Sequence, residues 1–369
     1  MATIIEPPNV VPPAITVPVA LPRERPRAVR TRTLDEWSSL VGALTGSLAL
    51  VWLVFERILA WSGTLGFLVC WYVAFLALFA AVTAMSNPRP VVVDRLASAT
   101  VHVAALIVAV ALGSTLLYTM WQGIPALLHL NFFSQDMSGI RPTDPLTQGG
   151  VLHAIVGTLI EVAIAVAISL PLGIGTAVYM TEVDGGLSRT VRTVVEAMTA
   201  LPDILAGLFI YTTLIVAFGF PRTGLAAALA LAVTMIPIIA RSAEVVLRVV
   251  PGGLREAGLA LGASQWATVR RVVLPTAKAG LATALILGMA RAVGETAPVL
   301  IASGASTFLN FNPVEDPMNS LPLFIYTAVR SGEPEAISRG FGAATLLLGL
   351  VLVLFVVTRF LARQKVGRR

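Results

Sequence analysis

After residue 35 the chain alternates between apolar runs of helix length and shorter polar segments. About eight of these runs are long enough to cross roughly 30 Å of hydrocarbon. They cover 38–60, 63–85, 96–120, 151–180, 203–219, 223–244, 277–303 and 338–362. Each is much longer than a barrel strand and shows no apolar/polar alternation, so the backbone must satisfy its hydrogen bonds within helices. The expected fold class is an all-α polytopic membrane protein. A Pro/Gly-containing loop over 121–150 divides a first block of three helices, 36–120, from a second block of five, 151–362. Residues 182–202 are partly amphipathic, with Arg189, Arg192 and Glu196 set against Val191, Val194 and Val195. This pattern suits a helix on the membrane surface or packed beneath the spans. The segment 304–337 carries Glu315, Asp316, Glu333 and Glu335 around an apolar patch, Leu321 to Tyr326, that is too short to span. The patch fits a helix dipping into the bundle or one lying at the interface.

Composition agrees with this pattern. Of 369 residues 56% are hydrophobic and 12% charged, and the mean hydropathy is +0.85. So few charges cannot clothe a soluble core. The net charge of +6 would suggest nucleic acid if the basic residues were clustered, but they sort by loop. With the N-terminus inside, only Arg57, Arg141, Arg222, Arg330 and Arg339 fall on the outer side, and Arg291 lies within a span. All the others lie on the inner side, which the positive-inside rule reads as cytoplasmic N- and C-termini in a plasma or inner membrane, with no nucleic-acid partner. Residues 1–35 read as a disordered basic cytoplasmic tail without a cleavable signal, and 363–369 as a second tail. The lone Cys70 allows no disulfide or cysteine metal site and reads as a small buried apolar residue.

One polar island interrupts the second block, a cytoplasmic loop over 245–276. It contains Arg255, Glu256, Ala257, Gly258, Leu259, Ala260, Leu261 and Gly262, followed by Val272 and Leu274-Pro275. Gly252-Gly253 is expected to end the preceding helix, a short helix to run from Leu254 to Leu261, Gly262 to turn sharply, and Leu274-Pro275 to start the next span. The order Glu-Ala-small, three residues, Gly, nine residues, an aliphatic, one residue, Leu-Pro resembles the docking motif of the membrane subunits of binding-protein-dependent ABC importers. Gly258 stands where that motif has alanine and Val272 where it has isoleucine. Further on, Arg291-Ala292-Val293-Gly294-Glu295-Thr296-Ala297-Pro298 resembles the A-type permease subunits of phosphate-specific importers. So do Leu170-Pro171-Leu172-Gly173, Ala206 to Tyr211 and Leu321-Pro322 with Ile325-Tyr326. Asp203 departs from the serine usual after Pro202. The resemblance covers about 145–362 and implies a five-helix permease core preceded by three N-terminal helices, two more than the family usually has.

What the resemblance implies is half of a transport channel. The loop from Arg255 to Gly262 would insert into an ATPase, and the partners would be a C-type permease subunit, two ATPase subunits and an extracytoplasmic phosphate-binding protein. No Gly-x-x-x-x-Gly-Lys-Ser/Thr loop occurs in this sequence and no constellation for covalent chemistry. The chain is therefore expected to be non-catalytic and to hold no cofactor or metal, with ATP and Mg on the separate ATPase. An ionised Arg291 near mid-span costs about 2.5–3.5 kcal/mol on insertion scales. Glu295, one turn on, shares its helix face and can pair with it. The two read as a structural pair or as a weak inorganic-phosphate site in the pathway, with Thr296 adding a hydroxyl. Glu161 lacks a basic partner one turn away and faces the bundle interior or is protonated. His102 and His153 read as packing histidines, and Arg241 with Glu244 as a surface pair. Rival readings are a permease for molybdate, sulfate or phosphonate, an ion-gradient-driven secondary transporter, and a membrane scaffold.

Overall fold

The computed structural model describes residues 34–59, 61–183 and 185–362. The expected basic tails lie outside these residues, except that Leu34 and Asp35 belong to the first helix. Two compact units divide the chain at Val110 and Ala111. Seven described helices are long and apolar enough to cross a membrane, or eight if one bent pair counts as a span.

The first unit holds α1 (Leu34–Trp52, continued by a π-helical stretch over Leu53–Ile58), α2 (Thr64–Ser86) and the start of α3 (Arg89–Leu127). Ala43 of α1 packs on Phe75 and Phe79 of α2, whose rings stack at 5.7 Å, and Leu96 and Ala99 of α3 complete the cluster. Cys70 is exposed on α2 and not buried as expected, because the buried face of this helix is the one carrying Phe75 and Phe79. His102 is also exposed, its Nδ1 sharing a hydrogen with the Ser98 carbonyl at 2.6 Å. The third helix runs on to Leu127, into the segment expected to be loop.

The second unit continues with α4 (Asn131–Ser134), α5 (Leu152–Glu182) and α6 (Gly186–Thr199). A π-helical stretch, Tyr211–Ala217, extends α7 (Asp203–Ile210), and α8 (Gly224–Val249) and α9 (Gly252–Ala260) follow. Next, α10 (Gln265–Thr268) passes through a π-helical stretch, Val269–Val273, into α11 (Leu274–Val293). Last come α12 (Ala297–Ala302), α13 (Leu321–Arg330) and α14 (Pro334–Ala362). The centre is α5 against α8, lined by Ala165, Ala227, Leu231, Ala232, Met235 and Ile239. Lipid gives two helices no hydrophobic reason to associate, so close approach through small side chains must supply the attraction. The alanines of α8 serve that purpose, with Ala226, Ala227, Ala228 and Ala230 fully buried.

At the end opposite α9, loops are stitched to helices by buried polar groups. Asp136 accepts from the amides of Leu309 (2.9 Å) and Ser138 (3.1 Å). Burial alone would raise its pKa, but these amide bonds, the Ser138 hydroxyl and the nearby His153 together hold it below the usual carboxylate range. Arg339, buried in α14, reaches the carbonyls of Asp144 (2.8 Å), Pro145 (2.8 Å) and Gln148 (3.0 Å). The apolar patch beginning at Leu321 forms α13, which inserts among the helices with Leu321, Leu323 and Phe324 buried. His153 of α5 meets Phe324 edge-on at 5.6 Å. Glu161 points inward from α5 and accepts from the Ser303 hydroxyl at 3.0 Å.

At the α9 end, α6 packs beneath the spans, with Val195 and Val191 against Met180 of α5 and Ala240 of α8. Glu244 of α8 is not half of a surface pair as the sequence suggested. It is buried and meets three guanidiniums, those of Arg192 (3.0 Å), Arg241 (2.8 Å) and Arg248 (2.8 Å), while Arg241 also reaches Glu196 (3.2 Å). Spacing along α8 places Arg241 three residues before Glu244 and Arg248 four residues after it, yet only the Arg241 pair was expected, and Arg192 arrives from another helix. Replacing Glu244 by Gln leaves three arginines facing one another. The expected cost is about 1–3 kcal/mol, less than for a fully buried pair because the guanidiniums keep partial contact with water. A lower melting temperature of the detergent-solubilised protein, with a smaller drop for Arg248→Gln, is the expected result, and unchanged melting for Glu244→Gln refutes it.

Candidate functional site

Two places on the second unit bring the singled-out residues together. One is α9 and its surroundings. Pro251 cannot donate to α8 and holds Val250 extended at φ −64° and ψ 124°, so α8 stops at Val249. Gly252-Gly253 therefore opens α9 and does not close α8. The helix continues to Ala260, and Gly262 turns the chain with φ +81°, a left-handed conformation that a side chain disfavours. Ser264 then caps α10 through the Ala267 amide at 3.3 Å. Leu274-Pro275 does not begin a new helix. It continues the one from Gln265, and the wider π-helical stretch over Val269–Val273 precedes the proline, whose ring would clash with a regular α-helical turn.

Arg255 anchors this corner. Its guanidinium lies on the Glu182 carboxylate at the end of α5, with Nε at 3.0 and 3.2 Å from the two oxygens. It also donates to the Leu247 carbonyl (2.9 Å) and the Val250 carbonyl (2.7 Å) at the C-terminal end of α8. One side chain thus ties α9 to the ends of α5 and α8. The Gln265 amide donates to the Glu182 carbonyl and adds a second tie. Glu256, Ala257, Leu259, Ala260 and Leu261 face outward, and Leu259, Leu261 and Trp266 form an exposed apolar surface. Gly258 is half-buried, and a Cβ there would come within 2.9 Å of the Thr268 side chain. The loop folds so closely on itself that glycine replaces the alanine of the motif.

The other place surrounds Arg291. Gly288, one turn before it, packs on Ile239 and Met235 near the middle of α8, so Arg291 lies close to the level of the middle of that helix. Here α11 ends at Val293, earlier than the expected 303. Glu295 lies in the turn beyond the helix and still reaches the Arg291 Nε, at 3.3 Å. Thr296 is the N-cap residue of α12, and its side chain makes no capping bond. A second carboxylate, Asp203 at the start of α7, pairs with Arg291 Nη2. Asp203 occupies the corner where α6 and α7 meet at 102°. That corner approaches because Gly207, one turn on, lies against Pro298 of α12, where a Cβ would fall 2.6 Å from the proline Cα. Arg291 keeps 51% of its side chain exposed, against 25% for Asp203 and 16% for Glu295. Asp203 escaped the sequence reading because it replaces an expected serine. The available signal was a carboxylate placed right after Pro202 at the head of an apolar run, which needs a cation somewhere.

A family described as binding-protein-dependent transport system inner membrane component matches residues 169–367. The chain belongs to that family. Both places lie inside the matched residues. The chain is 37% identical over 257 residues to the Phosphate transport system permease protein PstA 1 of Mycobacterium tuberculosis (strain CDC 1551 / Oshkosh), covering 66% of this chain and 84% of that protein. To the Phosphate transport system permease protein PstA of Mycobacterium leprae (strain TN) it is 38% identical over 248 residues, covering 66% and 81%. Inward-facing MetNI, a methionine ABC transporter, matches with a TM-score of 0.46 and 26% identity over 59% of this chain and 95% of that one. As in this importer family, the membrane is crossed several times.

The contact at Gly258 gives a test of the α9 corner. Gly258→Ala is expected to cost about 1–2 kcal/mol of stability through overpacking, and adding Thr268→Ala should recover most of it. A double-mutant cycle on thermal denaturation checks this, and additive losses would refute the contact.

Proposed function

We infer that this chain is the permease subunit of an ATP-driven importer of inorganic phosphate, an A-type subunit forming half of the translocation pathway. The observation that carries the reading is Arg291, a half-exposed guanidinium held at mid-span by groups that can let go of it, in a chain whose relatives are phosphate permeases. A planar guanidinium offers paired donors to a tetrahedral oxyanion. Such a site must bind weakly enough to release what it passes on. Arg291 would meet the phosphate, Glu295 would orient it, and the free Thr296 hydroxyl would add a donor or acceptor.

The exposed surface of α9 supports the docking role. Glu256, Ala257, Gly258, Leu259, Ala260, Leu261 and Gly262 would seat in a groove of the ATPase, and Arg255 would pass its displacement to α5 and α8. ATP is bound with Mg and hydrolysed there, in two ATPase subunits, and this chain catalyses nothing. A C-type permease completes the pathway, and an extracytoplasmic phosphate-binding protein delivers cargo on the side of residues 131–151 and 303–320. Both termini and α9 then face the cytoplasm, in agreement with the distribution of Lys and Arg.

Arg291→Ala should abolish uptake of labelled phosphate in the assembled transporter, while the variant still co-purifies with the ATPase. Uptake at the wild-type rate refutes the pathway role. Inhibition of phosphate uptake by equimolar molybdate or sulfate would favour a different oxyanion, and phosphate is expected to compete alone. Leu261→Asp is expected to leave the chain in the membrane but to lose the ATPase on co-purification.

A further inference from the structure

We propose that Asp203 is the counter-ion that Arg291 exchanges for the transported oxyanion, so that α6 releases or re-forms the site as it moves. The proposal rests on the phosphate reading above and adds a residue to it.

In this structure the guanidinium is taken by two carboxylates, Asp203 at Nη2 and Glu295 at Nε. Two anions around one cation leave no attraction for a third. An oxyanion can bind only after one carboxylate withdraws. Glu295 is poorly placed to do so, since it lies four residues from Arg291 in the same turn and is the more buried of the two. Asp203 comes from a different helix, on a corner where the backbone bonds of α6 end at Leu201 and Pro202 brings no amide donor. Pro202, extended at φ −58° and ψ 133°, begins α7 there.

The corner is also connected to the docking end. The α6 helix is held to α8 through Arg192 and Glu244, and through Arg241 and Glu196. The same end of α8 is held to α9 by Arg255. A displacement of α9 reaches α6 through these hydrogen bonds and ion pairs, and α6 leads directly into Asp203. Arg192 adds a further tie, donating to the Met180 carbonyl at 3.0 Å, so α6 moves with the end of α5 as well. In one position Asp203 closes the site by neutralising Arg291. In the other the guanidinium is free to take the anion, and the returning carboxylate displaces it.

The experiment uses the whole assembled transporter and compares wild type with Asp203→Asn and Asp203→Ser. Two quantities are read: equilibrium binding of labelled inorganic phosphate to the purified complex without its binding protein, and the maximal rate of uptake in proteoliposomes with it. Removing the competing charge should tighten phosphate binding by roughly three- to tenfold, the scale of a partly solvated charged contact. The maximal uptake rate should fall, because nothing drives the anion off. A merely structural role would weaken both or neither, and either pattern overturns the proposal. Should Asp203→Asn fail to assemble, the serine variant, a smaller residue that also lacks the charge, decides in the same way. Arg291→Ala serves as control. If it transports normally, the phosphate pathway reading itself fails, whereas normal binding and uptake in both Asp203 variants remove only the exchange.

Discussion

A guanidinium at mid-span depth cannot be left to lipid, and the pairing of Arg291 shapes much of the second unit. Two helices are broken at its level, α11 at Gly294 and the bent pair of α6 and α7 at Pro202. Both breaks bring a carboxylate to it. Irregular backbone at membrane depth survives only where protein covers it or where it lines a cavity. Gly207 against Pro298 supplies cover on one side of these breaks, and the exposed half of Arg291 marks the other side as the open one. The charge therefore has a place to act only because the chain gives up helical regularity around it.

The same principle organises the α9 end with different materials. There the terminal carbonyls at the end of α8 and the carboxylate of Glu182 all accept from Arg255, which serves them at once. Glu244 is likewise shared by three arginines from two helices. Charges gathered in this way resist separation more than isolated surface pairs do, because removing one member leaves the rest uncompensated. Ends of α5, α6, α8 and α9 are thus joined by side chains where no helix packs against all of them.

Much of this was legible in the sequence. Helix-length apolar runs gave the all-α fold, and the fixed gaps from Glu256 to Pro275 located α9 and its turn at Gly262. Arg291 stood out as a mid-span charge, and its pairing with Glu295 followed from spacing. What stayed hidden depends on contacts between distant residues. Asp203 is 88 positions from Arg291, Glu182 73 from Arg255, and Arg192 comes to Glu244 from another helix. Periodicity within one helix cannot reveal such partners. Helix ends were also displaced where local chemistry competes with hydropathy. Pro251 moved the start of α9 back to the glycines, and the turn at Gly294 ended a span that hydropathy alone carries to 303.

The division between regular and irregular helix separates a close-packed frame from less regular elements. Along the α5–α8 contact, alanine-lined surfaces interlock, and the buried side chains have no room to shift without opening voids. Arg291 and its two carboxylates hang on elements of another kind. After the Pro202 corner, α7 passes into the π-helical stretch Tyr211–Ala217, and α11 is preceded by the π-helical stretch Val269–Val273. Such stretches lengthen or tighten a helix by one residue with little loss of hydrogen bonding, and they recur at functional sites for that reason. A displacement entering at α9 therefore meets a stiff frame and compliant connections. The least costly response is to shift α7 and α11 against the joined ends of α5, α6 and α8, and these two helices carry Asp203 and Arg291 at their ends, with Glu295 just beyond.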